Sequence, residues 1–229
     1  MDLPTTVSDG LTIAAICERE DPRDALVLQV NSDLSCSSLE DLPAGAVVGT
    51  SSPRRLAQLA HLRSDLLVKD LRGNVDTRLR KLDEGQYDAV ILAAAGLRRL
   101  GLEQRISAAI PTEQMLPAVG QGALGIEIRS DDRDATNVVE KLDHDPTRIA
   151  CTAERALLHA LGGGCQLPIA AHCVVHDQEL RIDGLVASRD GRRIVRDDLS
   201  GSSDAAERLG MELANLLLED GADKLLTGQ

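Results

Sequence analysis

What most restricts the fold of this 229-residue chain is a pattern met three times in its first half: an apolar run, a small-residue turn and a helix start. Ala46 to Thr50 (AVVGT) leads into Ser51-Ser52-Pro53-Arg54-Arg55, where Ser52 suits an N-cap, Pro53 the first helical position, and Leu56, Leu59 and Leu62 an inward face. Leu66 to Leu71 leads into Arg72-Gly73-Asn74 and a helix with Val75, Leu79 and Leu82 on one side. Asp88 to Ala93 leads into Ala94-Ala95-Gly96 and a helix around Leu97 to Ile106. Strands alternating with helices predict an α/β fold with a parallel sheet. Ligands of such sheets bind beyond the carboxyl ends of the strands, where Thr50 to Arg55, Arg72 to Arg78 and Leu92 to Gly96 converge.

Around this unit the chain reads differently. Leu11 to Cys17 is a buried strand with no partner upstream, Glu18 to Asp24 a charged connection, Ala25 to Val30 a second strand, and Ser37 to Leu42 a helical turn. Pro117-Ala-Val-Gly-Gln-Gly122 is a hinge-like link into a strand over Ala123 to Arg129, and Ser130 caps a helix ending near Leu142. Ile169 to Val175, Leu180 to Ala187 and Arg193 to Asp198 have strand patterns, with Asp190-Gly191 a turn signal. Ser203 caps a last helix with Leu209, Leu213, Leu216 and Leu217 inward. These closing elements form a separate α+β unit of three strands and helices.

Between the halves lies a cysteine on a loop nearly free of shielding side chains. Asp145 as N-cap, Pro146 at the first helical position, and Ile149, Ala153, Ala156, Leu157, Ala160 and Leu161 at helical spacing define a helix that Gly162 terminates. Three glycines in succession exceed what a cap needs, and they allow backbone close to a bulky group on Cys165. Locally, a buried small apolar cysteine is the other reading.

The arginines at the strand ends favour an anion. A helix start offers free N–H groups and the positive end of the dipole, and Arg54 and Arg55 add charge where cations are otherwise poorly placed. The net charge of -12 argues against nucleic acid, and the lack of Phe and Trp removes stacking platforms for bases. Five cysteines without a CxxC pair, and five histidines without a spaced cluster, argue against disulfides and a structural metal. Neither a long apolar run nor a secretory leader pattern is visible. Glu154 and Arg155 read as ordinary surface or interdomain contacts, and His159 as a packed or surface residue.

Six segments together resemble the porphobilinogen deaminase (hydroxymethylbilane synthase) family: Glu18-Arg-Glu-Asp-Pro-Arg-Asp-Ala25, Gly49-Thr-Ser-Ser-Pro-Arg-Arg55, Leu71-Arg-Gly-Asn-Val-Asp-Thr-Arg78, Leu92-Ala-Ala-Ala-Gly-Leu97, Leu116-Pro-Ala-Val-Gly-Gln-Gly122 and Gly162-Gly-Gly-Cys-Gln-Leu-Pro168. The resemblance implies domains like periplasmic binding proteins, with parallel or mixed sheets, plus the C-terminal α+β domain. It implies a transferase of tetrapyrrole (haem, chlorophyll, corrin) biosynthesis that joins four porphobilinogens head to tail, releases ammonia each time and delivers 1-hydroxymethylbilane. It implies one covalent dipyrromethane cofactor per chain, held by a thioether to Cys165. Loss of ammonia leaves an electrophilic azafulvenium, and the matching catalytic carboxylate, in a Lys-Asp-Leu-Pro-Thr motif, is Asp2. Each pyrrole carries acetate and propionate, so guanidinium partners are needed. Thr50, Ser51, Ser52, Arg54, Arg55, Arg72 and Ala93 match cofactor positions, and Arg78, Arg99, Gln121 and Gly122 match substrate or hinge positions.

Against the family's pattern, the chain begins inside the first of three domains, and Met1 stands where the motif has lysine. The expected division is residues 1–25 and 123–142 as a remnant of domain 1, 26–122 as domain 2, and 143–229 as domain 3. Impaired or absent turnover is one expectation for such a chain. A two-domain anion receptor resembling periplasmic solute receptors is another reading, though it gives Gly162 to Cys165 no role. The resemblance further implies porphobilinogen as partner, a monomer, no membrane, and a cytoplasmic location, or plastid stroma in a photosynthetic eukaryote.

Overall fold

The computed structural model describes residues 7–30, 33–164 and 167–227. Its elements build three sheets. The largest has five strands in the order β4-β3-β5-β2-β6, formed by β2 (Asp24–Leu28), β3 (Val47–Gly49), β4 (Leu67–Lys69), β5 (Ala89–Ala93) and β6 (Ala108–Ile110). β3 is parallel to β4 and β5, whereas β2 is antiparallel to β5 and β6, so the sheet is mixed rather than purely parallel. The helix expected around Leu97 to Ile106 is shorter and gives way to the short strand β6. That helix, α3 (Ala94–Arg99), stops early and a 3-10 turn over Glu103–Arg105 intervenes. Gly101, at a φ of +67°, marks the break.

Side chains on this sheet alternate with period two. Leu26, Ala89 and Ile91 face one core with Leu59, Leu66 and Met115, while Ala25, Val27, Val90 and Leu92 face another with Leu71, Leu79, Leu82 and Leu97. The helices α1 (Pro53–Leu62) and α2 (Val75–Asp83) are capped by Ser52 and Asn74 as expected. The inward face of α1 is not the expected leucine stripe. Leu62 is exposed, and Arg54, Arg55, Ala57, Gln58 and Leu59 are buried instead. The segment Ser37 to Leu42 makes bends and a single turn closed by Leu42 N–H on Leu39 O at 3.4 Å, with Asp41 accepting from the backbone of Ser37 and Ser38 at 2.8 and 2.9 Å.

β1 (Leu11–Ile16) pairs antiparallel with β7 (Gly125–Arg129) as a two-stranded ribbon. α4 (Arg133–Val139) follows, capped by Asp132 rather than Ser130. α5 (Asp145–Ala160) begins one residue earlier than expected, with His144 at the cap position and Asp145 inside the helix. Asp143 ties the ribbon to this helix, accepting from Ile16 N–H at 2.7 Å and from Arg148 at 2.6 Å.

The last unit is an antiparallel meander of β8 (Ile169–His176), β9 (Glu179–Ala187) and β10 (Ile194–Ser202), packed against α5, α6 (Ala206–Glu219) and α7 (Ala222–Thr227). Ser203 opens a 3-10 turn and leaves α6 without a side-chain cap. The two long helices cross so closely that a Cβ on Gly210 would lie 2.2 Å from the carbonyl oxygen of Ala153. Gly210→Ala, which in an open helix would stabilise by about 1 kcal/mol, is therefore expected to destabilise the protein by about 1–3 kcal/mol. Urea unfolding measures the sign directly.

Candidate functional site

A cavity of about 1140 Å³ opens between the carboxyl ends of β3 and β5, the segment 118–125, and the end of α5 with its following loop. The sheet places it. Because β2 runs against β5, its first residue, Asp24, pairs with Ala93 at the same edge where α1 begins.

Asp24 is fully buried and takes both arginines of α1. Arg54 donates to it from Nη1 at 2.6 Å and Nη2 at 3.3 Å, and Arg55 from Nη2 at 2.8 Å and Nε at 3.0 Å. Arg54 also donates to Leu116 O at 2.8 Å and Gln121 Oε1 at 3.2 Å, while Arg55 donates to Ile91 O at 3.1 Å. Burial alone would raise the pKa of Asp24, but the two guanidiniums outweigh it and hold it at about 2. Burial draws the pKa of Arg54 down, Asp24 opposes this, and the Arg55 charge adds to the lowering. Arg54 Nε has no hydrogen-bond partner although it is buried.

The other wall residues follow from local structure. Arg78, on the first turn of α2, donates to Gly73 O at 2.7 Å, and its pKa is lowered by burial and by Arg55 nearby. Arg72 is largely exposed and pairs with Asp70 at 3.1 Å. Arg99 donates to Gly122 O at 2.5 Å. Ser51 donates to Leu71 O, and Ser52 accepts from Arg55 N–H at 3.4 Å. Ser51, Ser52, Arg54, Arg55, Arg72, Arg78, Ala93, Arg99, Gln121 and Gly122 all line the cavity. Thr50 is not on its wall: it is buried, and its Oγ1 accepts from Ser52 N–H at 3.2 Å. Asp2 and Cys165 lie outside the described residues.

The loop before Cys165 divides its glycines by task. Gly162, at a φ of +62°, closes α5 with two backbone bonds, Gly162 N–H to His159 O and Gly163 N–H to Leu158 O, both 2.9 Å. A Cβ on Gly163 would lie 2.5 Å from Ile169 Cδ1, whereas one on Gly164 would meet nothing within 4 Å. Gly163, Gly164 and Leu167 line the cavity together with the arginines.

Sequence reasoning missed three participants. Asp24 had been absorbed into a charged connection, although two arginines at a helix start with no acid in the first turn call for a counter-charge elsewhere. Arg155 lines the cavity, its pKa lowered by burial, on the helix turn next to Glu154. Of the two contacts expected for Glu154, surface or interdomain, the structure shows the second, reaching Arg19. Glu154 is fully buried and accepts from Arg19 Nη1 at 2.6 Å, Arg19 Nη2 at 3.3 Å, Gly120 N–H at 2.6 Å and Cys173 N–H at 2.8 Å. The strict need for glycine at 122, with a φ of +89° and a Cβ that would fall 2.3 Å from Glu20 O, belongs to the same crossing.

Six arginines, Arg54, Arg55, Arg72, Arg78, Arg99 and Arg155, line one concave site, a lining chemically suited to polyanionic small molecules. Family models agree on something narrower. Residues 1–137 match "Porphobilinogen deaminase, dipyromethane cofactor binding domain", and residues 148–219 match "Porphobilinogen deaminase, C-terminal domain". A porphobilinogen deaminase of Prochlorococcus marinus (strain MIT 9312) is 51% identical over 226 residues, covering 99% of this chain and 71% of its own. One from Nostoc sp. (strain PCC 7120 / SAG 25.82 / UTEX 2576) is 51% identical over 225 residues, covering 98% and 69%. Among solved structures, a periplasmic binding protein of Brucella ovis aligns at 18% identity over 66% of this chain and 43% of its own, with a TM-score of 0.36, a likeness that fixes neither fold nor ligand. The chain belongs to the porphobilinogen deaminase family.

Two measurements follow from the buried carboxylates. Asp24 has a folded pKa below its unfolded value, so its contribution is present above about pH 4 and is lost as pH falls toward about 2. That part of the acid destabilisation, on the order of 2 kcal/mol, is expected to vanish in Asp24→Asn when unfolding is followed against pH. Glu154→Gln leaves Arg19 buried without its counter-charge, and is expected to cost about 3–5 kcal/mol by denaturant unfolding.

Proposed function

We propose that this chain carries out the condensation of four porphobilinogen molecules head to tail, with release of ammonia at each step and 1-hydroxymethylbilane as product. That is a transferase activity, hydroxymethylbilane synthase, in the tetrapyrrole pathway that feeds haem, chlorophyll and corrin synthesis. The observation that carries it is the arginine-lined cavity, whose lining also takes in Gly163, Gly164 and Leu167, neighbours of Cys165 in sequence.

The residues present fit a dipyrromethane. The cavity is larger than the roughly 300–1,000 Å³ of ordinary small-ligand sites, as an oligomer growing in place requires. Every pyrrole brings two carboxylates, and the guanidiniums can meet them bidentately. Bound through Cys165, the group supplies the pyrrole carbon nucleophile onto which the first substrate is added.

The chain's own residues have distinct tasks in this reading. Arg54, Arg55, Arg72 and Arg78 hold acetate and propionate groups, and Ser51, Ser52 and Ala93 shape the floor beside them. Thr50 supports that floor from behind by fixing the turn of Ser52. Arg99, Gln121 and Gly122 border the hinge, where the incoming porphobilinogen sits. Asp2 supplies a carboxylate against the positive charge that develops as ammonia leaves.

We further divide the chain into residues 1–25 with 123–142, residues 26–122, and residues 143–229; three separate sheets support three units, although Asp24 and Ala25 already belong to β2 of the five-stranded sheet. The net charge of -12 speaks against nucleic acid as partner. The free thiols of Cys17, Cys36, Cys151 and Cys173 suit a reducing compartment such as cytoplasm or stroma. A monomer is the state proposed, and no described helix is long and apolar enough to cross a membrane.

Intact-mass measurement with peptide mapping of Cys165 tests the reading. An increment of two linked pyrrole units on Cys165, its loss in Cys165→Ser, and ammonia release from porphobilinogen are the expected results. An unmodified Cys165 after incubation with porphobilinogen or preformed hydroxymethylbilane, with no ammonia released, overturns it. Anion binding that survives Cys165→Ser without turnover would instead mark a binding module.

A further inference from the structure

We infer that Asp24 is a positioning residue for the reaction: it locks the guanidinium planes of Arg54 and Arg55 so that ligand carboxylates meet them in one orientation. The inference rests on the proposed reading of the cavity. Its basis is the count of partners around one buried carboxylate. Five N–H groups, from Arg54 Nη1 and Nη2, Arg55 Nε and Nη2, and Gln121 Nε2 at 2.9 Å, point at the two oxygens of Asp24.

Main-chain oxygens complete the clamp. Leu116 O and Ile91 O accept one N–H from each arginine, and Gln121 Oε1 accepts another from Arg54. Arg54 Nε, on a residue that lines the cavity, is left over. That atom has almost no accessible surface, so a ligand carboxylate meets the clamp at Arg55, which lines the cavity and keeps one unused N–H on each of Nη1 and Nη2. Two adjacent guanidiniums lacking Asp24 would repel each other and adopt several rotamers, and each ligand would then have to order them.

Field and orientation make opposite predictions. Asp24→Asn raises the local charge of the three-residue cluster from +1 to +2, so simple attraction favours a dicarboxylate more strongly in the variant. Loss of orientation weakens it. Porphobilinogen binding to the full-length chain is measured by calorimetry for wild type and Asp24→Asn, with circular dichroism confirming that both are folded. Affinity at least tenfold weaker in the variant is the expected result, and equal or tighter binding overturns the inference.

The ¹⁵N–¹H signals of the arginine Nε groups supply a second readout that needs neither binding nor turnover. Wild type is expected to give sharp, separate Arg54 and Arg55 signals, and Asp24→Asn to broaden both. If wild type binds no porphobilinogen, the reading of the cavity fails, and these signals alone decide for Asp24: unchanged signals in the variant overturn its role. Should Asp24→Asn not fold, Gln121→Leu removes one acceptor from Arg54 and one donor to Asp24 at constant charge. It is expected to weaken binding about threefold and to broaden the Arg54 signal, and neither change occurring overturns the inference.

Discussion

The interaction on which the rest of the structure depends is the buried pair of Glu154 and Arg19. Two charges removed from water carry a large desolvation cost, which is repaid only when geometry is good and the remaining lone pairs are filled. Here Glu154 takes both Nη atoms of Arg19 and two backbone N–H groups, from Gly120 and Cys173. Those four donors come from three separate stretches: the connection before β2, the link before β7, and β8. Each supplies or borders a wall of the cavity. A single carboxylate thus fixes how the meander unit, the ribbon and the five-stranded sheet approach one another.

Gln121 joins this pair to the second buried cluster. Its backbone oxygen accepts from Arg19 Nε at 2.8 Å, while its side chain donates to Asp24 and to Pro22 O and accepts from Arg54. A continuous polar path therefore runs from Glu154 through Arg19 and Gln121 to Asp24 and the arginines of α1. Such networks specify a unique arrangement when every member is satisfied. Among the described residues, Arg54 Nε is the buried side-chain polar atom left without a partner, and its residue lines the cavity. The shortage of aromatic residues works in the same direction. Without Phe or Trp, the cores are aliphatic and the elements come close together, as at Gly191, where a Cβ would lie 2.2 Å from Ala57 O on α1. The meander is thereby seated directly against the helix that carries the arginines.

Most of the fold was legible from periodicity, because an aliphatic chain marks its strands clearly: β3, β4 and β5 each fall inside an expected run, and β8 and β9 overrun theirs by one residue. What failed had identifiable causes. The antiparallel direction of β2 is set by pairing partners far away in sequence, which local pattern does not encode. α1 misled because its inward face carries Arg54 and Arg55, buried against a carboxylate about 30 positions away, and Gln58, buried against the backbone of Leu116. The arginines that the structure gathers at the cavity were visible as repeated punctuation at strand ends. Asp24 and Glu154 were not, since a buried acid looks like a surface acid until its partner is known.

The chain's overall charge sharpens what the cavity can accept. A surface with a net charge of -12 repels anions at long range, yet beyond a Debye length of about 8 Å at physiological salt that field is largely screened. Inside the cavity the dielectric is lower and the guanidiniums are close, so attraction there outweighs the surface repulsion for any anion small enough to enter. A large polyanion meets the acidic exterior over its whole length and gains only a few arginine contacts. A pyrrole dicarboxylate gains two charge-assisted contacts and loses little. The combination of acidic shell and basic cleft therefore selects by size as well as by charge. The same balance argues that the cleft's arginines must be held in place from behind: a pair of guanidiniums free to swing toward the acidic surface would be neutralised there. Asp24, buried and shared between Arg54 and Arg55, takes only one of their two positive charges and leaves the other to the cavity.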